Sequence, residues 1–469
     1  MRTRIVFLLA RLILNFLGIV TTAVLTRLLE PAEYGLYALG MSVLLFLTIG
    51  VFEWLGLSLL RLGTTTGQPE RFFGTIAPCF CALCGLCATA AAVALAAADL
   101  GNQALLAWAC LAATFAAAWF ELNQRLQLAE LRGAAFLRAA AVRGAATTLL
   151  PCAAAYFSGS APVIVLASGA GFLIGVAASW EPRLNLLRWR FDWSICRALL
   201  RYGFPLSVSV GLATLLISVD KWLLQALLGP REVGLYSAAA FVAQIPIQAL
   251  AFGIGSSSYS LAVQAVEFRS AEAARDQLRQ NFTILLGVVL PAAAGIVALS
   301  GNLAHVMVGS AYWEAAVRLT PWLAAAAVFA SLRAFYLDFA FQLANRTAPL
   351  IWMMLVTVAV NVVLDLWLIP TNGELGAAIG SCCAFLVGLV VTAIASRSVY
   401  RLPLPLTEPA KIAASVVVMF AVLYQLSGRS GAAALGGQIA IGVLVYAGGL
   451  LAGNVLGMRD RLLRRAVAV

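Results

Sequence analysis

Charge is scarce in this sequence. Of 469 residues only 11% are Asp, Glu, Lys or Arg, and histidine occurs once, at His305. A soluble core of ordinary size does not go with so little charge. A lone histidine excludes a histidine metal cluster, and no Ser or Cys has a base spaced to activate it, so neither a catalytic residue nor a metal or cofactor site is expected. The short basic start Met1–Ala10 is expected to open a retained first helix rather than a removed signal peptide, because no convincing small-residue cleavage site follows it. Nine cysteines are present, with Cys79, Cys81, Cys84 and Cys87 in one Ala-rich run and Cys382-Cys383 in another. Along a helix the first four scatter over a wide arc, which fits small buried hydrophobes better than metal ligands.

What is abundant is apolar residue: 62% hydrophobic, with a mean hydropathy of +0.95. Apolar runs long enough to cross about 30 Å of hydrocarbon recur from end to end, and in lipid such runs must be helices. The sequence predicts fourteen, near 7–29, 34–60, 73–98, 103–122, 136–157, 162–180, 203–228, 233–258, 280–299, 315–341, 349–369, 375–396, 409–427 and 434–455. The expected fold is an all-α polytopic membrane protein with two six-helix lobes, 1–180 and 203–396. A basic cytoplasmic linker spans 181–202, and two extra helices with a basic tail span 397–469.

The net charge of +11 follows from sidedness rather than from a nucleic-acid partner. Nearly all Lys and Arg fall on one side of the predicted spans. Only Arg231, Arg318 and Arg429 lie opposite, while Arg11, Arg27, Lys221 and Arg333 fall within helices. This bias places both termini in the cytoplasm, as for a multi-pass protein of a bacterial inner membrane. The linker interleaves Trp189 and Trp193 with Arg188, Arg190 and Arg197, which suits either anionic headgroups or a solvated loop.

One segment occurs twice. Leu28-Leu29-Glu30-Pro31-Ala32-Glu33-Tyr34-Gly35-Leu36-Tyr37 returns as Leu227-Leu228-Gly229-Pro230-Arg231-Glu232-Val233-Gly234-Leu235-Tyr236. A repeat on this scale implies two related bundles around a central site, as in many transporters. Its own residues read as structural. Pro31 and Pro230 end one helix, Gly35 and Gly234 permit a tight start to the next, and Glu33 and Glu232 sit in first turns where the dipole favours an anion.

Charge placed inside the membrane costs about 2.5–3.5 kcal/mol per residue at the centre of a helix, so it points to function. Asp220-Lys221 lies in helix 7, and adjacent residues on a helix cannot pair ideally with each other. Arg11, Asn15, Thr22 and Thr26 share one face of helix 1, Gln244 and Gln248 flank Pro246 in helix 8, and Arg333 lies in helix 10. Lys221, Arg11 and Arg333, with Asn15, Gln244 and Gln248, are the candidate cavity residues. Arg and Lys suit phosphate oxygens, so the set points to an anionic ligand such as a pyrophosphate. Asp220, Glu53 and Asp365, the last one turn after Asn361, are candidates for ion coupling or gating. Mutual neutralisation that ties the bundle together stays open as the other explanation, chiefly for Arg27, Glu53 and Asp338.

Three stretches carry a resemblance: Thr26–Ala38, Asp220-Lys221 with Leu227–Ala239, and Asn361–Pro370 with Gly373 and Gly376-Ala377-Ala378. They resemble signatures of bacterial polysaccharide transporters, the Wzx-type flippases of the multidrug/oligosaccharidyl-lipid/polysaccharide flippase superfamily. The resemblance implies alternating access that flips an isoprenoid-pyrophosphate-linked oligosaccharide to the periplasmic leaflet for lipopolysaccharide or exopolysaccharide synthesis. It implies helices 1, 2, 7 and 8 as cavity lining, and a lipid-linked oligosaccharide, membrane lipids and a polysaccharide polymerase with its chain-length machinery as partners. Related lipid II flippases carry a charged pair where this chain has Thr21-Thr22; at the repeat offset the pair is Asp220-Lys221 instead. Two other readings stay open. One is a multidrug or small-solute antiporter of the same superfamily. The other is a membrane glycan polymerase or glycosyltransferase, against which the short outward segment Ser300–Glu314 argues.

Overall fold

Backbone amides and carbonyls in hydrocarbon must pair within their own segment, and the apolar runs do so as helices. A computed structural model of the protein describes residues 17–63, 69–98, 104–181, 184, 190–268, 271–344, 346–405 and 407–460. Every regular element among them is helical. The long helices are α1 (Leu17–Leu28), α2 (Pro31–Leu62), α3 (Pro69–Ala98), α4 (Ala104–Ala129), α5 (Gly133–Ser158), α6 (Ala161–Ala178) and α7 (Trp193–Leu227). They continue as α8 (Pro230–Phe268), α9 (Ala271–Ala298), α10 (Ser310–Leu343), α11 (Ala348–Asn372), α12 (Glu374–Val399), α13 (Thr407–Leu426) and α14 (Ala432–Ala452). Among the described residues twelve helices are long and apolar enough to cross a membrane; α1, described from Leu17 onward, and α5, with Arg138 and Arg143 along it, complete the fourteen. This is an all-α, multi-pass membrane protein.

Several boundaries differ from the sequence expectation for local reasons. α7 begins at Trp193, inside the stretch read as linker, because the Asp192 carboxylate accepts from the Ser194 amide at 2.9 Å and caps the first turn. The Ser194 hydroxyl adds a second bond at 2.6 Å, and together these hold the exposed Asp192 carboxyl below the usual carboxylate range. α4 runs to Ala129 rather than 122, which brings Arg125 within the helix. His305, a loop residue by sequence pattern, lies instead in a short helix, Ser300–Met307, with its ring stacked 3.5 Å from that of Trp313.

The chain divides into two compact units, Met1–Gly234 and Leu235–Val469. Lipid tails are as apolar as Leu, so helices in a bilayer gain from close packing rather than from leaving water. The first unit meets that demand with small residues on α4, including Ala113, Ala116 and Ala117, around Phe52, Phe80, Trp119 and Phe120. The second packs Ala324 and Ala327 of α10 against Leu285 and Val289 of α9 and Ile247 of α8. α13 and α14 join that unit through α9, with Met419 and Leu423 against Ala298 and Leu299 and the Tyr446 hydroxyl on the Gly287 carbonyl at 2.6 Å.

Among the described residues each unit contains one long helix broken by a π-turn: Thr48–Phe52 within α2 and Arg333–Leu337 within α10. One extra residue per turn brings residues five apart onto one face, and such turns occur often at functional sites. Glu53 follows the first turn and Asp338 the second.

Candidate functional site

The two copies of the repeated segment meet. Pro31 opens α2 and Pro230 opens α8, with Glu33 and Glu232 in the respective first turns. A Cβ on Gly35 would overlap the Pro230 carbonyl, and one on Gly234 would overlap the Pro31 carbonyl. These glycines are therefore required by backbone-to-backbone approach, not by a tight helix start as the sequence suggested. Glu33 also serves a neighbouring helix, since its carboxylate accepts from the Ala161 amide at 2.8 Å and so caps α6. The copies differ one residue before the proline. Gly229 has φ +98°, open to glycine but costly for other residues, whereas Glu30 is extended at φ −67°.

On α7, Asp220 is buried and Lys221 half-buried. The orientation of this turn is set by Trp222, whose indole N–H donates to Ser42 Oγ on α2 at 3.0 Å while its ring meets Phe46 edge-on at 5.0 Å. Lys221 makes no hydrogen bond or ion pair among the described residues. The corresponding place in the first half is neutral and satisfied, with Thr21 Oγ1 2.8 Å from the Leu17 carbonyl and 2.9 Å from Thr148 Oγ1 on α5. Arg11 and Asn15, which the sequence assigned to the cavity, lie outside the described residues. Arg27 donates to the Ala23 carbonyl of its own helix at 2.6 Å.

Glu53 lies about 16 Å further along α2 than Ser42, at roughly 1.5 Å per residue, so it does not join the Lys221 turn. It is ion-paired with Arg125 of α4. One turn back on α4, Glu121 faces Arg143 of α5 at 3.6 Å, and the Arg143 guanidinium lies 5.1 Å from both the Phe120 and Phe172 rings. A cavity of about 10 Å³ opens among Thr48, Glu53, Glu121 and Arg125. Thr48 Oγ1 and Arg125 Nε are buried there without a hydrogen-bond partner among the described residues. Sequence reasoning missed Glu121, Arg125 and Arg143: it ended helix 4 at 122, short of Arg125, and counted Arg125 and Arg143 with the charges of one membrane side. The Glu121-x-x-x-Arg125 spacing, favourable one turn apart on a helix, was the signal that could have extended it.

In the second unit Arg333 is 7% exposed. Its Nη2 reaches only the Met354 sulfur of α11, at 3.5 Å, and its Nε has no partner among the described residues. Asp338, five residues on, likewise has a buried and unpartnered Oδ1. Between them Tyr336 is anchored through its hydroxyl to the Pro403 carbonyl and through its ring to Phe282 at 4.7 Å. Gln244 and Gln248 of α8 are half-buried with free amides among the described residues. α8 meets α10 one to two turns later, where Phe252 lies 6.0 Å from Phe335. Asn361 and Asp365 are fully buried, with Asn361 Nδ2 3.3 Å from Asp365 Oδ2. Asp365 closes on Gly380 of α12 and stands about 16 Å along α11 from Met354. The structure thus brings Arg333 close to Asp338 rather than to Asp365.

The cysteines are free, and Cys79 Sγ lies 3.5 Å from Cys196 Sγ. No group of three or more His, Cys, Asp or Glu suited to a metal occurs among the described residues.

Compared with known proteins, the chain has the fold of a lipid II flippase, MurJ, in an inward closed conformation. The TM-score is 0.77 at 14% identity, over 98% of this chain and 99% of that one. An inward-facing multidrug resistance transporter of the MATE family, in the MOP superfamily, gives a TM-score of 0.61 at 14% identity, over 82% and 94%. Its outward-facing counterpart gives 0.56 at 14%, over 85% and 95%. No curated protein sequence matches the chain. Residues 24–317 match the profile of the family described as "Polysaccharide biosynthesis protein". The chain belongs to that family.

Proposed function

We propose that this protein flips an isoprenoid-pyrophosphate-linked oligosaccharide from the cytoplasmic to the periplasmic leaflet of the bacterial inner membrane by alternating access. The observation that carries the reading is two cations set in apolar helices, one in each unit: neither Lys221 nor Arg333 is hydrogen-bonded or ion-paired to a carboxylate among the described residues. A cation kept in lipid without a directly bonded partner is costly, and an anionic ligand lowers that cost through charge-assisted hydrogen bonds. Lys221, Arg333 and Arg11 are assigned to the pyrophosphate, and Asn15, Gln244 and Gln248 to the cavity wall. Asp220 and Glu53 are assigned to ion coupling or gating; Asp365, fully buried against α12, fits a gating tie better than a ligand contact.

The two lobes, 1–180 and 203–396, would move about the 181–202 linker, with both termini cytoplasmic and 397–469 as an added helix pair. A polysaccharide polymerase and its chain-length machinery would receive the product. No covalent chemistry is assigned to the chain. Membership in a polysaccharide biosynthesis family supports a glycan-linked cargo, while the MATE-like fold supports a multidrug antiporter as the second reading.

The test is export of surface polysaccharide in a flippase-deficient strain. Wild type restores it, and Lys221→Ala and Arg333→Ala each reduce it at least about tenfold, the equivalent of about 1.4 kcal/mol of lost binding. Full export by both variants would remove the cation assignment. Drug resistance that persists when the glycan pathway is deleted would select the antiporter.

A further inference from the structure

Resting on the transport reading above, we propose that the Glu53–Glu121 pair binds the proton that drives turnover, with Arg125 as the group that changes partner. The cluster has what a proton site needs. Two carboxylates and two guanidinia are gathered in the first unit, so one added proton unbalances an otherwise neutral set. The π-turn aligns Thr48 with Glu53, five residues apart, so hydroxyl and carboxylate face the same small cavity. Thr48 is 6% exposed and its Oγ1 has no partner among the described residues, as is true of Arg125 Nε beside it. With about 10 Å³, the cavity has room for about one water, and these polar groups give such a water its hydrogen bonds.

The two carboxylates differ in access. The Glu121 side chain is 38% exposed and that of Glu53 10%. The proton therefore reaches Glu121, the less covered of the two, first and passes through a cavity water to Glu53. The Glu53 carboxylate becomes a neutral carboxylic acid and releases Arg125, and the deprotonated Glu121, one turn away on the same helix, takes Arg125 in its place. Loss of the interhelical pair loosens α2 from α4. The same half of α2 is tied to α7 by the Ser58 hydroxyl on the Leu199 carbonyl at 2.7 Å, and α7 carries Lys221.

The charges facing Glu53 come from few directions. α4 supplies Arg125 and Glu121, and α5 supplies Arg143 through Glu121. α3 brings Phe80 to the cavity, with its own charges, Glu70 and Arg71, at an exposed first turn. Arg197 and Arg201 of α7, and Arg61 of α2, are exposed. A sodium ion is a poor occupant, because a guanidinium forms one wall and a hard cation asks for a shell of oxygen ligands.

The test has two readouts. In purified protein, infrared difference spectra on acidification show a carboxylic-acid C=O band for wild type. The band is lost in Glu53→Gln and displaced in Glu121→Gln, the milder change at a more exposed group; an unaltered band in both variants overturns the site. In proteoliposomes carrying a labelled isoprenoid-pyrophosphate oligosaccharide, a pH gradient of about one unit speeds wild-type flipping by up to about tenfold, the ratio of proton activities. Flipping by either variant no longer responds to the gradient. Stimulation by a sodium gradient in place of protons, or retained pH response in both variants, overturns the proposal. Absence of any flipping by wild type with an intact infrared response would instead reject the cargo and leave the proton site standing.

Discussion

The two π-turns use the same backbone device for different ends. Thr48–Phe52 runs into Glu53, whose counter-charge Arg125 arrives from another helix, 72 residues away in sequence. Arg333–Leu337 runs into Asp338, and there the cation lies on the turn itself, with no hydrogen bond or ion pair joining the two. A pair drawn from two helices ties them together and commits the carboxylate, even though Arg125 Nε stays unspent. A cation and a carboxylate on one turn, each with a polar atom unspent, keep capacity for a ligand. The lesson is that an intramembrane charge the fold has left unanswered points to a ligand, and one that it has answered points to a tie between helices.

Four sets of variants would break or sharpen this contrast. The largest effect is expected at the closed pair. Arg125→Ala strands the Glu53 carboxylate, and loss of one partner of a buried pair costs about 3–5 kcal/mol, less here because Arg125 is 30% exposed. Arg333→Ala removes a cation that no carboxylate hydrogen-bonds or ion-pairs among the described residues, and should change stability far less while reducing export at least about tenfold. Thermal unfolding in detergent, read beside export, compares the two; a greater stability loss at Arg333 would invert the contrast. Next come the repeat glycines. Gly35→Val and Gly234→Val force a side chain into the opposite proline carbonyl and should each cost roughly 1–3 kcal/mol as overpacking does, with matching falls in melting temperature if the copies are equivalent.

A smaller effect is expected at the neutral half of the repeat asymmetry. Thr21→Val removes the Thr148 hydrogen bond, worth about 1 kcal/mol, and should leave export intact, whereas Lys221→Ala should not. Equal export defects would mean that the halves grip the cargo alike. The smallest effect is expected at the start of α7. Because hydrogen bonds from Ser194 hold the Asp192 carboxyl below its ordinary value, its contribution is complete above the unfolded pKa of about 3.9. It is lost as pH falls through the lowered folded value. Ser194→Ala should raise the Asp192 pKa toward ordinary, measurable by carboxyl NMR titration, with no change in export near neutral pH.

Much of the site was legible in the chain because the cost of burying charge is a property of the residue. Lys221, Arg333 and Glu53 stand out against apolar surroundings without any coordinates. Their roles were not legible. For Glu53 the sequence leaves neutralisation and ion coupling both open, and names no partner until α4 is seen to extend to Ala129 and present Arg125; Asp338 reads as a neutralised charge until the π-turn is found with its Oδ1 unpartnered.

The sequence by itself determined the number of helices, the doubled Pro-x-x-x-Gly segment and the one-sided distribution of Lys and Arg, because hydrophobic length and composition act within each segment. Only the tertiary structure decided which charge meets which, why Gly35 and Gly234 must be glycine, and where a helix takes on an extra residue. Those outcomes depend on the rotation and spacing of neighbouring helices, and one residue inserted by a π-turn turns every later side chain by about 100°. No local pattern in the chain records that angle.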